Sequence, residues 1–520
     1  MGAYPTTKRE NNHMKTNRNG LIAGAMSALA VLGTAVPAAA QDDKLLMVTS
    51  TFPMTSPTPY AESNAQMYSV WCQTYGCLGR YNYATKEYEG ILVETWEIVD
   101  DNTWRFKLRE GLVRHDGGPG PTTTDVLHSY HRVLNDPAST QKNIFSEVKT
   151  IREVDEHTFE IVTTKPLASL LSYIFDRFII TSAELAEDSA SPDEDAPYGW
   201  GPYKLASYTL DQEIALEKND DFPGIAETAP DIAVYRQIRE AEQRVTALMN
   251  GEVQIARLIP PQLVSRIEGS ESIDTVQSPS IEQMFLAFNP KFEPWTDKRV
   301  RQAAAHAINK DLIIDRFLMG LADKLDGPLG EQQICYTGPL DFVIDYDPEK
   351  SRELLVEAGY EDGGPSIEFM TASGRYISDR QVSEIVTQML TEVGFEVDLQ
   401  VPEYANLTAA MRAGELPMYY LGRGLFLDPS EPLSQYLESD ITQRIGYTNL
   451  ELDALLQQER QTLDPEERCQ IVRQAAELIA EEVPMFFMWS HRLVHGVQKG
   501  IEWNASADGE IWLSDVKMSM

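Results

Sequence analysis

The sequence predicts a mixed α/β protein with more than one domain. Its 520 residues suffice for roughly two to four domains of ordinary size. Some segments alternate apolar and polar residues, as half-buried strands do, and others repeat apolar residues every three or four positions, as helices do. The two kinds of segment alternate along much of the chain, without an internal repeat or a long low-complexity linker.

Residues 1–40 have the pattern of a secretory signal. Lys15 and Arg18 precede the apolar run LIAGAMSALAVLGTAV, and small residues lead to an expected cleavage after Ala40. Residues 1–13 resemble an upstream extension, with Met14 as an alternative start. No cysteine stands at the cleavage site and no later segment has about 20 consecutive apolar residues, so we expect export without a lipid anchor or a membrane span.

The chain is strongly acidic, with a formal net charge of −36. Nucleic-acid binding requires a basic surface, so this charge argues against a nucleic-acid partner. It predicts a solvated acidic surface instead.

Four cysteines allow disulfides in an exported protein. Cys72 and Cys77 stand five positions apart, which favours a local disulfide. A zinc site would need about four nitrogen or sulfur ligands, and two cysteines without nearby histidines do not supply them. The sequence leaves the pairing of Cys335 and Cys469 open.

The first third contains two predicted hairpins and a helix. ETWEIV and TWRFKLREG form one hairpin, and VKTIREVDEHTFEIVTTKP forms the other around Asp155. Between them, TTTDVLHSYHRVLND carries an apolar helical stripe, and Thr124 is its expected cap.

Helices become frequent after residue 297. DKRVRQAAAHAIN carries one apolar stripe, Asp347 starts a helix that ends at Gly359, and Asp464 starts another with Glu467 at the capping-box position. SIEFMTA, GFEVDLQ and PMYYLG are short strands between such helices.

No common catalytic or phosphate-binding motif is present. HExxH, GxSxG, the P-loop and GxGxxG are all absent, and the eight histidines are scattered. The spacings of His128/His131 and His491/His495 would suit a metal, but packing histidines are the simpler interpretation. We therefore expect no enzyme activity and no cofactor.

Six segments, in order, resemble the extracellular solute-binding proteins of bacterial ABC importers, of the dipeptide/oligopeptide-binding class, family 5. The similarity runs from about residue 45 to about 500. It rests on the following segments: TWRFKLREGLVRHDGGPGPTTTDVLHSYHRVL, YGWGPYKLASY, RVTALMNGEVQIA, FLAFNPKFEPWTDKRVRQAAAHAINKDLI, YDPEKSRELLVEAGYEDG and EEVPMFFMW.

The resemblance implies a two-lobed periplasmic-binding-protein fold of type II. Such a fold has mixed sheets flanked by helices, a two-strand hinge and, in the large cluster, an extra subdomain in lobe I. The implied boundaries are lobe I at 41–288 with its subdomain at about 76–196, lobe II at 289–482, and a C-terminal return to lobe I at 483–520. The hinge strands would lie near Ala287–Asn289 and Pro484–Phe487, and closure would trap the ligand.

Two residues after the strand PMYYLG are the leading site candidates. In peptide-binding relatives an aspartate in a D-x-x-x-P segment binds the peptide ammonium, and Asp428 fits that spacing, although a turn or structural role is as plausible. Arg423 replaces part of a segment that usually holds a tryptophan. It would bind a carboxylate or phosphate, or else pair with an acidic neighbour.

Other candidates follow from the same resemblance. SGRYISD resembles the segment where dipeptide binders hold the ligand carboxylate, so Arg375 and Tyr376 are candidates for ligand contact. The alternative for Arg375 is a surface ion pair. Trp200 would line the cleft or belong to the core. Phe487 and Trp489, near the expected hinge, would either line the pocket or pack in the core. Residues from Phe52 to Ser56, after the N-terminal strand, are also expected to contact the ligand.

The expected function is that of a monomeric periplasmic binding protein. It would capture a peptide or peptide-like solute and deliver it to permease and ATPase subunits. The alternative within the fold is a non-peptide ligand: an oligosaccharide, an opine-like conjugate, or a metal chelate that depends on histidines near the cleft, such as His491. A secreted hydrolase lacks motif support, and a periplasmic chaperone with the same fold is the third possibility.

Overall fold

The computed structural model of the chain describes residues 44–51, 56–61, 65–188, 197–361, 363–424 and 426–519. The expected signal segment, Phe52 and most of the acidic stretch 186–196 lie outside these residues. Within the described part, no helix is long and apolar enough to cross a membrane.

The described strands, in chain order, are β1 (Leu45–Ser50), β2 (Gly79–Asn82), β3 (Glu87–Gly90), β4 (Val93–Asp100), β5 (Thr103–Leu108), β6 (Val148–Asp155), β7 (Thr158–Thr163), β8 (Tyr203–Thr209), β9 (Glu213–Lys218), β10 (Ile232–Gln237), β11 (Ile255–Ala256), β12 (Ile273–Phe288), β13 (Ala322–Lys324), β14 (Ser366–Thr371), β15 (Glu396–Gln400), β16 (Met418–Arg423), β17 (Met485–Gln498), β18 (Ile501–Glu502) and β19 (Lys517–Met518).

The described α-helices are α1 (Ala65–Thr74), α2 (Thr123–Asn135), α3 (Leu170–Ile174), α4 (Ala183–Asp188), α5 (Ala241–Met249), α6 (Pro261–Ile267), α7 (Lys298–His306), α8 (Lys310–Phe317), α9 (Pro348–Glu357), α10 (Asp379–Val393), α11 (Tyr404–Ala413), α12 (Ser430–Leu437), α13 (Leu450–Gln461) and α14 (Pro465–Glu482).

One mixed sheet of eleven strands connects the two ends of the chain. Its order is β15-β14-β16-β12-β17-β11-β1-β10-β9-β8, with β13 beside β17. The long strands β12 and β17 pair antiparallel from Ile273 opposite Gln498 to Ala287 opposite Met485. The expected hinge segments lie at the end of this pair where Ala287 is opposite Met485. The regular pairing is interrupted by a bulge between Pro279 and Gln283, and a bulge changes the direction in which side chains point.

The apolar run at the end of β12 is buried on both faces. Met284, Leu286 and Phe288 pack into one core cluster, which also holds α7 and α10. The intervening Phe285 and Ala287 pack into another cluster, with α12 and α13. A strand that is buried on both faces has a continuous run of apolar residues, rather than the alternating pattern of a half-buried strand.

The predicted hairpins form a separate four-stranded sheet, in the order β4-β5-β7-β6. Trp104, Phe106 and Leu108 of β5 are buried, as the alternation predicts. Helix α2 begins two positions earlier than a cap at Thr124 would imply. Thr122 is the N-cap, because the Asp125 carboxylate accepts a hydrogen bond from the Thr122 backbone N–H at 2.8 Å.

The later helices begin where the sequence predicts. The Asp347 carboxylate accepts from the backbone N–H groups of Glu349 and Lys350, and Asp464 accepts from that of Glu467 at 2.8 Å. Helix α9 ends at Glu357, two residues before the predicted glycine. The strands predicted in SIEFMTA, GFEVDLQ and PMYYLG are β14, β15 and β16.

The glycines of YGWGPY allow two backbones to approach closely. The Trp200 N–H donates to the Tyr75 carbonyl at 2.8 Å, and the Gly201 N–H donates to the Thr74 carbonyl at 2.8 Å. A Cβ on Gly201 would lie 2.2 Å from the Gln73 carbonyl oxygen. Backbone atoms held by the end of a helix have no room to retreat.

Replacing Gly201 with alanine should therefore destabilise the fold by roughly 1–3 kcal/mol, the usual cost of overpacking. Chemical denaturation measures the loss. Gly330→Ala is the matched control, because its Cβ would meet neighbours no closer than 3.4 Å. Equal stabilities of the two variants would contradict the close approach at Gly201.

Candidate functional site

A cavity of about 670 Å³ brings together distant parts of the chain. Residues between 66 and 177 form one side, and the bulge of β12 supplies residues 280–282. Described residues of the segment 424–431 after β16, the C-terminal segment 508–512 and four further residues complete the lining; the four are Arg257, Leu258, Arg375 and Leu493. Six carboxylates and four arginines line it: Asp176, Glu282, Asp428, Glu431, Asp508 and Glu510, and Arg80, Arg177, Arg257 and Arg375.

The β2–β3 hairpin supplies an aromatic wall that was not predicted from the sequence. The ring of Tyr81 lies 5.2 Å from that of Tyr83 and 5.1 Å from that of Tyr88, both in edge-to-face geometry. The Tyr88 hydroxyl is 2.6 Å from the Ser172 hydroxyl, which holds the ring in place. The aromatic spacing in RYNYATKEY is the only sequence signal for this wall, and it also fits an ordinary hairpin.

Asp428 lines the cavity but already has a cationic partner. Its Oδ1 accepts from Arg468 Nη2 at 2.6 Å and from the Ser430 backbone N–H at 2.9 Å. Its Oδ2 lies 3.4 Å from the Ser172 hydroxyl. Burial alone would raise the pKa of this carboxyl, but the charge and hydrogen bond of Arg468 lower it below its ordinary value. Asp428 thus has a structural partner and also faces the cavity.

Arg468 also binds a second buried carboxylate. Its Nε donates to Glu459 at 3.1 Å, and the Ser430 hydroxyl donates to the same carboxylate at 2.9 Å. Burial raises the pKa of Glu459, with Arg468 opposing that shift. Helices α12, α13 and α14 are therefore joined through one guanidinium beneath the cavity.

Arg375 lines the cavity, and Tyr376 stands beside it. The guanidinium of Arg375 lies over the rings of Tyr376, at 4.9 Å, and Tyr404, at 5.7 Å. The Tyr376 hydroxyl donates to the Gly422 carbonyl at 3.1 Å, and this side chain is not part of the cavity lining. The Asp379 carboxylate accepts from backbone N–H groups of the same loop and fixes it.

Arg423 is buried away from the cavity, with 1% of its surface exposed. Its Nη2 donates to the Pro328 carbonyl at 2.8 Å and to Gln283, and its guanidinium lies 5.3 Å from the centre of the Phe487 ring. Burial lowers the pKa of Arg423 to about 9. Among the described residues Arg423 forms no ion pair with an acidic neighbour, and it does not face the cavity where a ligand would bind. Phe487 packs against it in the core.

The predicted tryptophans belong to the core. Trp200 packs against the four-stranded sheet with 1% exposure, and its indole N–H donates to the Pro119 carbonyl at 2.8 Å. Trp489 is fully buried with the α7 and α10 cluster. Neither lines the cavity. Phe52 lies outside the described residues.

Five of the cavity carboxylates have raised pKa values because they are buried: Asp176, Glu282, Glu431, Asp508 and Glu510. None of the five was predicted as a site residue from the sequence, because an acidic chain offers too many candidates. The lining holds six carboxylates against four arginines, so the cavity favours a cationic group.

Glu510 illustrates this effect most clearly. Its Oε1 lies 3.2 Å from Arg257 Nη2, and its Oε2 accepts from the Ser69 hydroxyl at 3.2 Å. Burial raises its pKa to about 7, and the nearby Asp508 charge adds to the shift while Arg257 opposes it.

Glu510 should make the protein less stable as pH rises. Its folded pKa exceeds its unfolded pKa, so the folded state binds the proton more tightly, and stability falls between pH about 4.5 and about 7. Glu510→Gln should remove most of this loss of stability, roughly 3 kcal/mol across the window. Denaturation at several pH values measures it, with the exposed Glu368→Gln as control. An unchanged slope in Glu510→Gln would assign the titration to other groups.

The cysteines form two pairs in the structure. Cys72 is bonded to Cys77 at the end of α1, with Cα atoms 4.9 Å apart. Cys335 is bonded to Cys469, a pairing that the sequence had left open, and this bond ties the 326–340 region to α14.

The histidine candidate His491 does not line the cavity. It is 3% exposed, and burial lowers its pKa to about 4. The described residues contain no group of three or more histidine, cysteine, aspartate or glutamate side chains that could hold a metal ion.

Comparison with known proteins gives concordant matches. Residues 87–443 match the model of "Bacterial extracellular solute-binding proteins, family 5 Middle". The chain is 25% identical over 516 residues to the glutathione-binding protein GsiB of Pectobacterium atrosepticum, across 94% of this chain and 95% of the relative. HbpA2 from Haemophilus parasuis has a similar fold, with a TM-score of 0.82 at 21% identity over 92% of this chain and 100% of that one. DppA from Helicobacter pylori, solved with the peptide STSA, gives a TM-score of 0.73 at 24% identity over 92% and 98%.

Proposed function

Because the chain belongs to family 5 of the bacterial extracellular solute-binding proteins, we propose that its cavity captures a peptide or peptide-like solute for an ABC importer. Members of this family deliver their ligands to permease and ATPase subunits. The chain acts as a monomer in the periplasm and has no catalytic role. The glutathione-binding relative and the peptide-bound structure of similar fold support this ligand class.

The observation that carries the proposal is the presence of uncompensated carboxylates in the cavity. No other described residue forms a hydrogen bond or an ion pair with the carboxylate of Asp176 or of Glu282. Each interacts with an arginine only at longer range, Asp176 with Arg177 and Glu282 with Arg375. An ammonium group would compensate such a carboxylate and has three donors to offer. A peptide amino terminus or a basic side chain supplies that group.

The size and walls of the cavity fit the same ligand class. A volume of about 670 Å³ lies within the range of roughly 300–1,000 Å³ that is typical of small-molecule sites. Tyrosines and Trp512 offer apolar faces for the body of the solute, and the arginines offer donors for its carboxylates. An oligosaccharide would use the aromatic wall but would leave the acidic groups unmatched.

Ligand capture proceeds by closure of two lobes, 41–288 and 289–482, with the tail 483–520 returning to the first. Contacts across this division support a closed arrangement. The Asp428 carboxylate lies 3.4 Å from the Ser172 hydroxyl, and Arg177 lies 3.9 Å from Glu431. A solute that contacts both sides would favour the closed state over the open one.

Native mass spectrometry of protein purified gently from a periplasmic extract tests the proposal, followed by calorimetry with a pool of dipeptides and tripeptides. Co-purified masses of short peptides, or saturable binding of pool members, are expected. A single non-peptide mass together with no binding from the pool would favour the alternative ligands: an oligosaccharide, an opine-like conjugate or a metal chelate.

Asp176→Asn should weaken the binding of a cationic peptide by about 1.5–3 kcal/mol, the contribution of a hydrogen bond to a charged group. The change keeps the shape of the side chain and removes its charge. Calorimetry with any pool peptide that binds the parent protein measures the loss. Asp315→Asn on the exposed face of α8 is the control and should bind as the parent does. Equal affinities in the two variants would remove Asp176 from the residues that stabilise the cationic part of the ligand.

A further inference from the structure

Arg257 is a buried arginine whose donors are only partly used. It follows β11, is 2% exposed and lines the cavity. Its Nη2 donates to the Gly509 carbonyl and to Glu510 at 3.2 Å. Its Nε and Nη1 are buried and have no hydrogen-bond partner among the described residues. Buried guanidinium donors without acceptors cost free energy, so an acceptor from the ligand would stabilise them.

Asp508 supplies the opposite charge beside this arginine. Its Oδ1 accepts from the Ser506 hydroxyl and from the Glu510 backbone N–H at 2.9 Å. Its Oδ2 has no partner within the described part of the chain, and the side chain lines the same cavity. The carbonyl of the next residue, Gly509, accepts from Arg257, so the guanidinium and the Asp508 carboxylate stand one residue apart along the same segment.

We propose that Arg257 and Asp508 together bind the zwitterionic head group of an α-amino acid, in which the ammonium and the carboxylate are attached to one carbon. Arg257 donates to the carboxylate from one of its two unpartnered groups, Nε or Nη1, and Asp508 receives the ammonium. This inference rests on the proposed function and narrows its ligand class. An ordinary linear peptide carries its two terminal charges on different residues, whereas a peptide joined through a side-chain carboxyl keeps an intact head group.

The other three cavity arginines are less suited to this role. Arg177 already lies 3.9 Å from the Glu431 carboxylate. Arg80 already pairs with Glu89 and Asp515, at 2.9 and 2.6 Å. Arg375 is exposed and packs on tyrosine rings. Arg257 combines deep burial, unused donors and an adjacent carboxylate.

Two isomeric probes separate this head group from a peptide terminus: γ-glutamyl-alanine and α-glutamyl-alanine. They have the same composition and charge, but only the γ isomer has its ammonium and a carboxylate on one carbon. Calorimetry should give a preference for the γ isomer on the order of tenfold or more, as expected when buried polar groups are left unpaired by the poorer ligand.

Arg257→Gln should abolish that preference by weakening the γ isomer. Because this variant leaves Glu510 without its partner, the double variant Arg257→Gln/Glu510→Gln is measured as well, since it removes both charges of the pair. Arg380→Gln, on an exposed part of α10, is the control and should retain the preference.

Equal binding of the isomers, or a preference that survives in both Arg257 variants, would overturn the inference. If neither isomer binds while other pool peptides do, the inference fails and the proposed function stands. If no peptide binds the parent protein, both fail together.

Discussion

Replacing Arg468 by methionine should lower the free energy of unfolding by about 3–5 kcal/mol, the usual cost of leaving buried charges without their partner. The guanidinium lies 2.6 Å from Asp428 and 3.1 Å from Glu459, and the side chains of all three residues are almost fully buried. Methionine fills similar space, so loss of charge compensation rather than loss of volume dominates the change.

Chemical denaturation of the parent protein and the Arg468→Met variant at neutral pH measures this effect. Arg380→Met is the matched control, because Arg380 pairs with Glu384 at 3.0 Å on an exposed helix face. Such surface pairs contribute about 0–1 kcal/mol. The triple variant Arg468→Met/Asp428→Asn/Glu459→Gln should recover part of the stability, since it removes the unpaired charges. A loss of under 1 kcal/mol in Arg468→Met would mean that water or neighbouring groups compensate these carboxylates.

The same network explains how far local sequence reasoning reaches. The cap at Asp464 and the strand β16 depend on neighbours within a few residues, and both were predicted. The partner of Asp428 lies 40 residues further along the chain, on another helix. A repeating sequence pattern does not reveal a contact between such distant residues. Asp428 could therefore be recognised as unusual from the sequence, but its partner Arg468 could not be identified.

The cavity is harder to predict for the same physical reason. Arg257 meets Gly509 across 252 positions, and Ser172 meets Asp428 across 256. The resemblance to relatives identified Arg375 and Asp428, which do line the cavity. It did not identify Asp176 or Asp508, because a carboxylate becomes distinctive only when burial changes its solvation. Burial is a property of the assembled sheet and helices rather than of any one segment.

Trp200 provides a test that separates core packing from ligand contact. We expect Trp200→Ala to destabilise the protein by about 3–5 kcal/mol, as large-to-small changes of buried aromatic residues do. The indole is 1% exposed, packs against the four-stranded sheet and donates to the Pro119 carbonyl. Because it does not line the cavity, the affinity for a pool peptide should stay that of the parent protein at temperatures where the variant is folded.

Denaturation and calorimetry on the same samples distinguish these roles. Tyr198→Ala is the matched control, since that neighbouring aromatic residue is 40% exposed and should cost little stability. Trp200→Phe keeps most of the packing and serves if the alanine variant does not fold. Weaker peptide binding with unchanged stability would assign Trp200 to the cleft wall, as the sequence had allowed. Stability loss with unchanged binding would leave Trp512 as the tryptophan that lines the cavity and reports ligand through its fluorescence.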